Sequence, residues 1–175
     1  TAALLARLRP RRVVLLGIAG SYDPERLALG SAATFEAVAL DGVGAGEGPG
    51  FLSPTDLGLP QWPGGEGTPS GDVHERLPLD PAGPGQALLL SVCSAADGES
   101  QVARRRERFP SALAEDMEGF GVALACALQG VPLTVVRGIC NRAGDRQRGG
   151  WCVAEALDAA RLRTLEVLDR CGPAP

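Results

Sequence analysis

Three stretches limit the possible folds most: RRVVLLGIAG at 11–20, QALLLSVCSA at 86–95 and VPLTVVRGIC at 131–140. Each holds a strand-length apolar run with almost no alternation. A strand with one wet face shows polar residues at every second position, so these runs need cover on both faces. The cover is close at hand in the chain. TAALLARLRP at 1–10 has helical spacing and stops at Pro10, and SQVARRRERF at 100–109 reads as an amphipathic helix. MEGFGVALACALQG at 117–130 reads as a helix with small residues on one side and a Gly stop. WCVAEALDAARLRTLEVLDRC makes a long C-terminal helix ended by Gly172-Pro173. SAATFEAVAL at 31–40 and SALAEDM at 111–117 supply two more strands. Strands alternating with helices predict an α/β fold with a mostly parallel sheet, in a single domain over 1–175. Residues 41–83 are dense in Gly and Pro with no sustained period, and read as one long loop.

Bulk charge excludes some functions. Every basic residue is an arginine, and 17 of them against 21 acidic residues leave a net charge of −4. No face is obviously basic, so no nucleic-acid partner is expected. The run Arg104-Arg105-Arg106-Glu107-Arg108 reads as the solvated side of a helix. Five cysteines, an odd number with no CxxC pair, argue against a disulfide framework or zinc site and favour a reducing cytosol. Four of the five lie in apolar or helical settings and read as small buried hydrophobes. His74 is the lone histidine, so no metal site is expected. No apolar run reaches membrane-spanning length, and the expectation is a cytoplasmic protein without a membrane partner.

In open α/β sheets ligands gather at the carboxyl ends of strands, and three such ends carry chemistry. GIAG at 17–20 offers small residues that let a ligand approach the backbone closely. EDME at 115–118 sets three carboxylates at a strand-to-helix junction. Each suits a helix N-terminus, but a carboxylate also accepts two hydrogen bonds from vicinal hydroxyls, as ribose offers. Met117 would lay a flat apolar contact on a sugar face. RGICN at 137–141 ends an apolar strand with Arg137, which needs anions nearby, and then Asn141, the only asparagine in the chain. An Asn just past a strand is commonly a turn residue. Its carboxamide could instead accept from a purine N7–H and donate to an oxygen at position 6. A mismatch there leaves buried polar groups unpaired at roughly 1–3 kcal/mol each. On this reading Asn141→Asp depresses 6-oxopurine release far more than it changes folding.

Taken in order, GIAG, LLLSVCSA, FPSALAEDMEGFGVA and VVRGICNRAG resemble the nucleoside phosphorylase and nucleosidase family along nearly the whole chain. RGICN followed by Trp151, together with GFLSPTDLGLP, is similar to the branch that hydrolyses a 6-oxopurine nucleoside in menaquinone biosynthesis. The resemblance implies a three-layer sandwich with a mixed, mostly parallel central sheet, a homo-oligomer (dimer or larger), a small nucleoside substrate and no cofactor. It also implies roles. Met117 and Glu118 would pack on the ribose and hold its hydroxyls, Arg137 would stand near the attacking water, and Asn141 would contact the base. Trp151 would line the ribose and 5′ pocket, and Ile18, Ala19 and Gly20 would form the turn beside the nucleoside. Arg142, Arg146 and Arg148 read as solvated loop charges, with contact to the 5′ substituent as the alternative.

Hydrolysis of the N-glycosidic bond, releasing hypoxanthine, is the expected reaction, with Asn141, Glu118 and Arg137 as its catalytic residues. A methylthioadenosine-type nucleosidase, a purine nucleoside phosphorylase of the same fold and a nucleoside-binding fragment without turnover are the alternatives. In the family a glutamate from the first strand stands near the water. No segment after Thr1 replaces it, so the expectation is a domain without its N-terminal strands.

Overall fold

The computed structural model describes residues 1–65 and 71–172. Residues 66–70, within the segment read as a loop, and Pro173, read as a helix stop, lie outside the described residues. Helix α1 spans Ala2–Leu8 and is followed by β1 (Val13–Ser21), β2 (Ala32–Thr34) and β3 (Ala37–Asp41). Next come the single-turn helix α2 (Pro54–Leu57), β4 (Arg76–Pro78), β5 (Leu88–Val92) and α3 (Glu99–Arg108). The chain ends with β6 (Ala112–Asp116), α4 (Gly119–Leu128), β7 (Leu133–Arg142) and α5 (Val153–Cys171).

One mixed sheet of order β2-β7-β1-β6-β5-β3-β4 runs through the middle. Strand alternation separates its two faces. Leu89, Leu113, Val135 and Ile139 pack with Phe120, Ala123 and Cys126 of α4 and with Leu5 of α1. On the other face Leu88, Leu90 and Ala112 meet Val102 and Phe109 at α3, while Val136 meets Ala160 and Val167 of α5. Helices therefore cover both faces, as the unalternating strands require.

The direction of the strands positions the site. β7 and β1 run parallel, and so do β6, β5 and β3. The two groups oppose each other, joined where β1 and β6 pair antiparallel. They overlap only through their final residues, Gly20 opposite Glu115 and Ser21 opposite Ala114. The carboxyl ends of β1, β6 and β7 thus meet head-on inside the sheet instead of along the common rim of a parallel sheet.

Three expectations are corrected. The stretch 31–40 is two strands: β2 pairs with β7 at one edge, and β3 pairs with β5 and β4 near the other. Only Phe35 and Glu36 separate them, about 10 Å of extended chain, so the sheet curls until its ends nearly meet. The segment 41–83 also carries more order than its composition suggests: α2 has a Ser53–Asp56 capping box, and β4 extends the sheet. Of the cysteines, only Cys126 and Cys140 are buried; Cys152 is half-buried, and Cys93 and Cys171 are exposed. Among the described residues no helix is long and apolar enough to cross a membrane.

Candidate active site

At the junction of the opposed strand ends lies a cavity of about 540 Å³. Its lining includes Ile18, Ala19 and Gly20 from β1, Met117 and Glu118 after β6, Arg137 and Asn141 from β7, and Trp151. These eight residues, given their roles by the family resemblance, therefore border one space.

The three carboxylates of EDME have different surroundings. Successive residues of β6 point to opposite faces, which sends Glu115 and Asp116 apart. Glu115 accepts from the Tyr22 hydroxyl (2.7 Å), the Arg105 guanidinium (2.8 Å) and the Ala96 amide (2.9 Å). Burial, reinforced by the Glu115 charge, pushes the Tyr22 phenol far above its ordinary pKa. Asp116 accepts from the Ser91 hydroxyl, the Gly119 amide (3.0 Å) and Arg137 Nε (2.9 Å). Ser91 in turn accepts from the Phe120 amide (2.8 Å), so the start of α4 is tied to β5 and β6. Glu118, which precedes α4, keeps a side chain 64 % exposed and, among the described residues, bonds only Arg137 Nη2, at 3.3 Å. Met117 beside it is 54 % exposed. Of the three acids, Glu118 alone retains free acceptor capacity toward the cavity.

Arg137 is 2 % exposed and is bound by Asp116 and Glu118. Its guanidinium is committed to carboxylates, which makes it a positioning group for Glu118. Gly17 explains how it fits. A Cβ at that position would lie 2.1 Å from Arg137 Nη1, so the missing side chain makes room for the arginine. Gly20 has a similar use, with Ala143 Cα at 3.3 Å and Asn141 Oδ1 at 3.4 Å from an added Cβ. The small residues of GIAG serve neighbouring protein groups, a use that the reading as ligand approach did not foresee.

Asn141 lies within β7, not after it. Ala19 pairs with Ile139 but Gly20 pairs with Asn141, so Cys140 is the extra residue of a β-bulge. A bulge re-aims the residue beside it, and here that residue is Asn141. Its amide nitrogen donates to the carbonyls of Arg142 (2.8 Å) and Asp145 (3.3 Å). Two backbone acceptors fix which end of the carboxamide is nitrogen, and they occupy both of its hydrogens. Oδ1 accepts from the Cys140 thiol at 3.1 Å and is the end left for a ligand. This corrects the expectation that Asn141 both donates and accepts toward a purine: its amide hydrogens are held by backbone carbonyls, and Oδ1 alone is left. Burial raises the Cys140 thiol pKa, keeping that donor protonated.

Arg105 is the buried supporting residue behind Glu115 that the sequence reading missed. It is 5 % exposed and bridges Glu115, Asp41 (3.1 Å) and the Ser94 carbonyl (2.6 Å), in place of the solvated position expected for the arginine run. Burial works against its charge, but Tyr22, Glu115 and Asp41 outweigh that and its pKa is raised. The signal was available: Val102, Arg105 and Phe109 fall at helical spacing on the buried side of α3. Of the arginines after β7, Arg146 and Arg148 border the cavity, whereas Arg142 reaches Glu99 at 3.4 Å outside it. Among the described residues no group of three His, Cys, Asp or Glu side chains could hold a metal ion.

Residues 88–171 match the model of the phosphorylase superfamily. The chain is 39 % identical over 152 residues to the futalosine hydrolase of Streptomyces coelicolor, covering 84 % of this chain and 60 % of that protein. It is 32 % identical over 184 residues to the futalosine hydrolase of Thermus thermophilus, covering 99 % of this chain and 76 % of that one. A solved futalosine hydrolase of Helicobacter pylori superposes with a TM-score of 0.72 at 18 % identity, over 96 % of this chain and 72 % of its own. The chain thus spans about three-fifths of the length of its Streptomyces relative.

Proposed function

The chain belongs to the phosphorylase superfamily, and on that premise we propose that it hydrolyses the N-glycosidic bond of futalosine, releasing hypoxanthine within menaquinone biosynthesis. One observation carries the reading: Asn141 Oδ1, the largely exposed carboxylate of Glu118 and the exposed Met117 side chain border a single cavity of nucleoside size.

The ribose lies on Met117 and gives its vicinal hydroxyl hydrogens to Glu118, which Arg137 holds in place. The C1′–N9 bond breaks with its electron pair going to N9, and positive charge develops at C1′. The Glu118 carboxylate supplies negative charge close to that centre, where an oriented anion stabilises the transition state most. Solvent delivers a proton to N7 as the bond breaks, and Asn141 Oδ1 accepts from the N7–H so formed, so that hypoxanthine leaves as its neutral N7–H tautomer. Water adds its oxygen to C1′ and loses a proton. A homo-oligomer is part of this reading, supported by Leu157, Leu162, Leu165 and Leu168 exposed on α5.

Chromatography of futalosine, inosine and methylthioadenosine after incubation in phosphate-free buffer tests it. Hypoxanthine released from futalosine without phosphate is expected. Release that needs phosphate, or adenine release from methylthioadenosine alone, sinks the proposal. Glu118→Gln keeps the shape but removes the charge, and is expected to lower kcat by about 10²-fold or more.

A further inference from the structure

A second thiol stands over the one that binds Asn141. Helix α5 crosses one face of β7 in a regular register. Val136 packs with Ala160, and a Cβ added at Gly138 would strike the backbone of Ala156. Two residues of strand advance about 6.6 Å and four residues of helix about 6 Å, so the next residue on that face, Cys140, meets Cys152. Contacts at that position agree. The Cys152 amide donates to the Cys140 carbonyl at 2.9 Å, and the Cys152 thiol lies 3.4 Å from the same oxygen. A backbone bond of this kind holds two Cα atoms roughly 5–6 Å apart, within the about 4.4–6.8 Å that a disulfide spans. Both residues are free thiols, Cys140 buried and Cys152 half-buried. Burial raises the Cys140 pKa, and the nearby Cys152 adds to the rise.

We propose that Cys140 and Cys152 are a dithiol modification site that closes to a disulfide in the presence of a small disulfide oxidant and thereby weakens the hold of Asn141 on a base. The chemistry is thiol–disulfide exchange with oxidised glutathione as the oxidant. Cys152, the more accessible thiol, gives up its proton and attacks one glutathione sulfur. The other glutathione leaves with the electron pair and takes up a proton. Cys140 then gives up its proton and displaces the second glutathione in the same way. Two protein thiols are oxidised, one small disulfide is reduced, and the two protons end on the two glutathiones. The step acts on the base site because Cys140 Sγ, now 3.1 Å from Asn141 Oδ1, must swing toward Cys152 and lose the hydrogen that it donates. Asn141 Oδ1 loses a protein partner just where the bulge aims it. That consequence rests on the proposed function, whereas closure of the thiol pair does not.

The experiment incubates the whole chain with reduced or oxidised glutathione, alkylates the remaining thiols and digests with trypsin without reductant. Cleavage after Arg137, Arg142, Arg148 and Arg161 leaves the two cysteines on separate peptides, 138–142 and 149–161. Mass spectrometry is expected to find these peptides joined after oxidation and apart after dithiothreitol. Glutathione on the exposed Cys93 and Cys171 confirms that the oxidant acted. Hypoxanthine affinity, read by calorimetry, is expected to fall about five- to tenfold on oxidation, the scale of one buried hydrogen bond, and to recover with dithiothreitol. Cys152→Ser keeps the size of the side chain and supplies a favoured residue for the start of α5. It is expected to bind hypoxanthine as the reduced wild type does and to ignore the oxidant. Peptides that stay apart, an affinity unchanged by the joined pair, or a loss that persists in Cys152→Ser would each overturn the proposal. The peptide link is read without any nucleoside. A chain that binds no purine would therefore refute the proposed function, while the digest still decides whether the pair closes.

Discussion

Replacing Asn141 with Asp changes one atom type, and the structure sets what that costs. The amide nitrogen lies 2.8 Å from the Arg142 carbonyl and 3.3 Å from that of Asp145, in a residue only 7 % exposed. A carboxylate in the same pose loses two donors, about 1 kcal/mol each, and sets an anion against two acceptors. The whole penalty comes to about 3 kcal/mol at neutral pH. Protonation returns one O–H donor, so the folded state favours the protonated acid and raises its pKa. For a carboxyl with a raised folded pKa, stability is present below its unfolded value and lost as pH rises through the folded one. The destabilisation is therefore smaller at pH 5 than at pH 8. Urea unfolding followed by circular dichroism on both proteins at the two pH values measures the difference. From the sequence alone, Asn141→Asp is expected to depress 6-oxopurine release far more than it changes folding; the two carbonyls make it a stability mutation as well. A penalty below about 1 kcal/mol at pH 8, or one equal at both pH values, would mean that the amide nitrogen does not hold those carbonyls.

Gly17→Ala drives a methyl into Arg137 Nη1 and forces the guanidinium off Asp116, at a cost of about 1.5–3 kcal/mol. A double-mutant cycle with Arg137→Met checks this, since the two changes must be strongly non-additive, and additivity would show that Gly17 is small for another reason. Tyr22→Phe removes a buried hydrogen bond to Glu115 and should cost about 1.5–3 kcal/mol in the same urea assay. The folded pKa of Tyr22 is raised, so its contribution is full below the unfolded tyrosine pKa of about 10 and is lost above it. Because the chain has one tyrosine, tyrosinate absorbance reads it directly and should emerge only together with unfolding. Ionisation in a still-folded protein would contradict the Glu115 bond.

The strands and helices were legible because core burial writes itself into local pattern. Runs such as LLLSV admit few settings, and β5 is buried at every position. The candidate site residues were legible as types at strand ends, and the structure gathers all of them around one cavity. What local pattern cannot carry is pairing across the sheet. SAATFEAVAL has one strand's composition, but its break into β2 and β3 is set by which partners accept each half. The role of Gly17 depends on an arginine 120 positions away, and the orientation of Asn141 depends on a bulge visible only once β1 and β7 are in register. Arg105 was misread because four arginines in five residues look solvated as a group, whereas the helix turns one of them inward.

The site also divides its charges in a way that bears on which groups can do chemistry. Glu115 and Asp116 are each matched by a buried arginine and at least one further donor, so breaking either arrangement by removing one partner would cost about 3–5 kcal/mol. Neither can give up that partner to a passing ligand, and both are better understood as anchors, Glu115 for the backbone at Ala96 and Asp116 for the start of α4. That anchoring leaves Glu118 at the mouth of a rigid helix start with only a 3.3 Å contact to Arg137. An arginine already neutralised by Asp116 can orient Glu118 without cancelling its charge. Sequence proximity makes the acids of EDME look equivalent, but the alternation of one strand and the turn into one helix leave a single carboxylate free to meet a sugar.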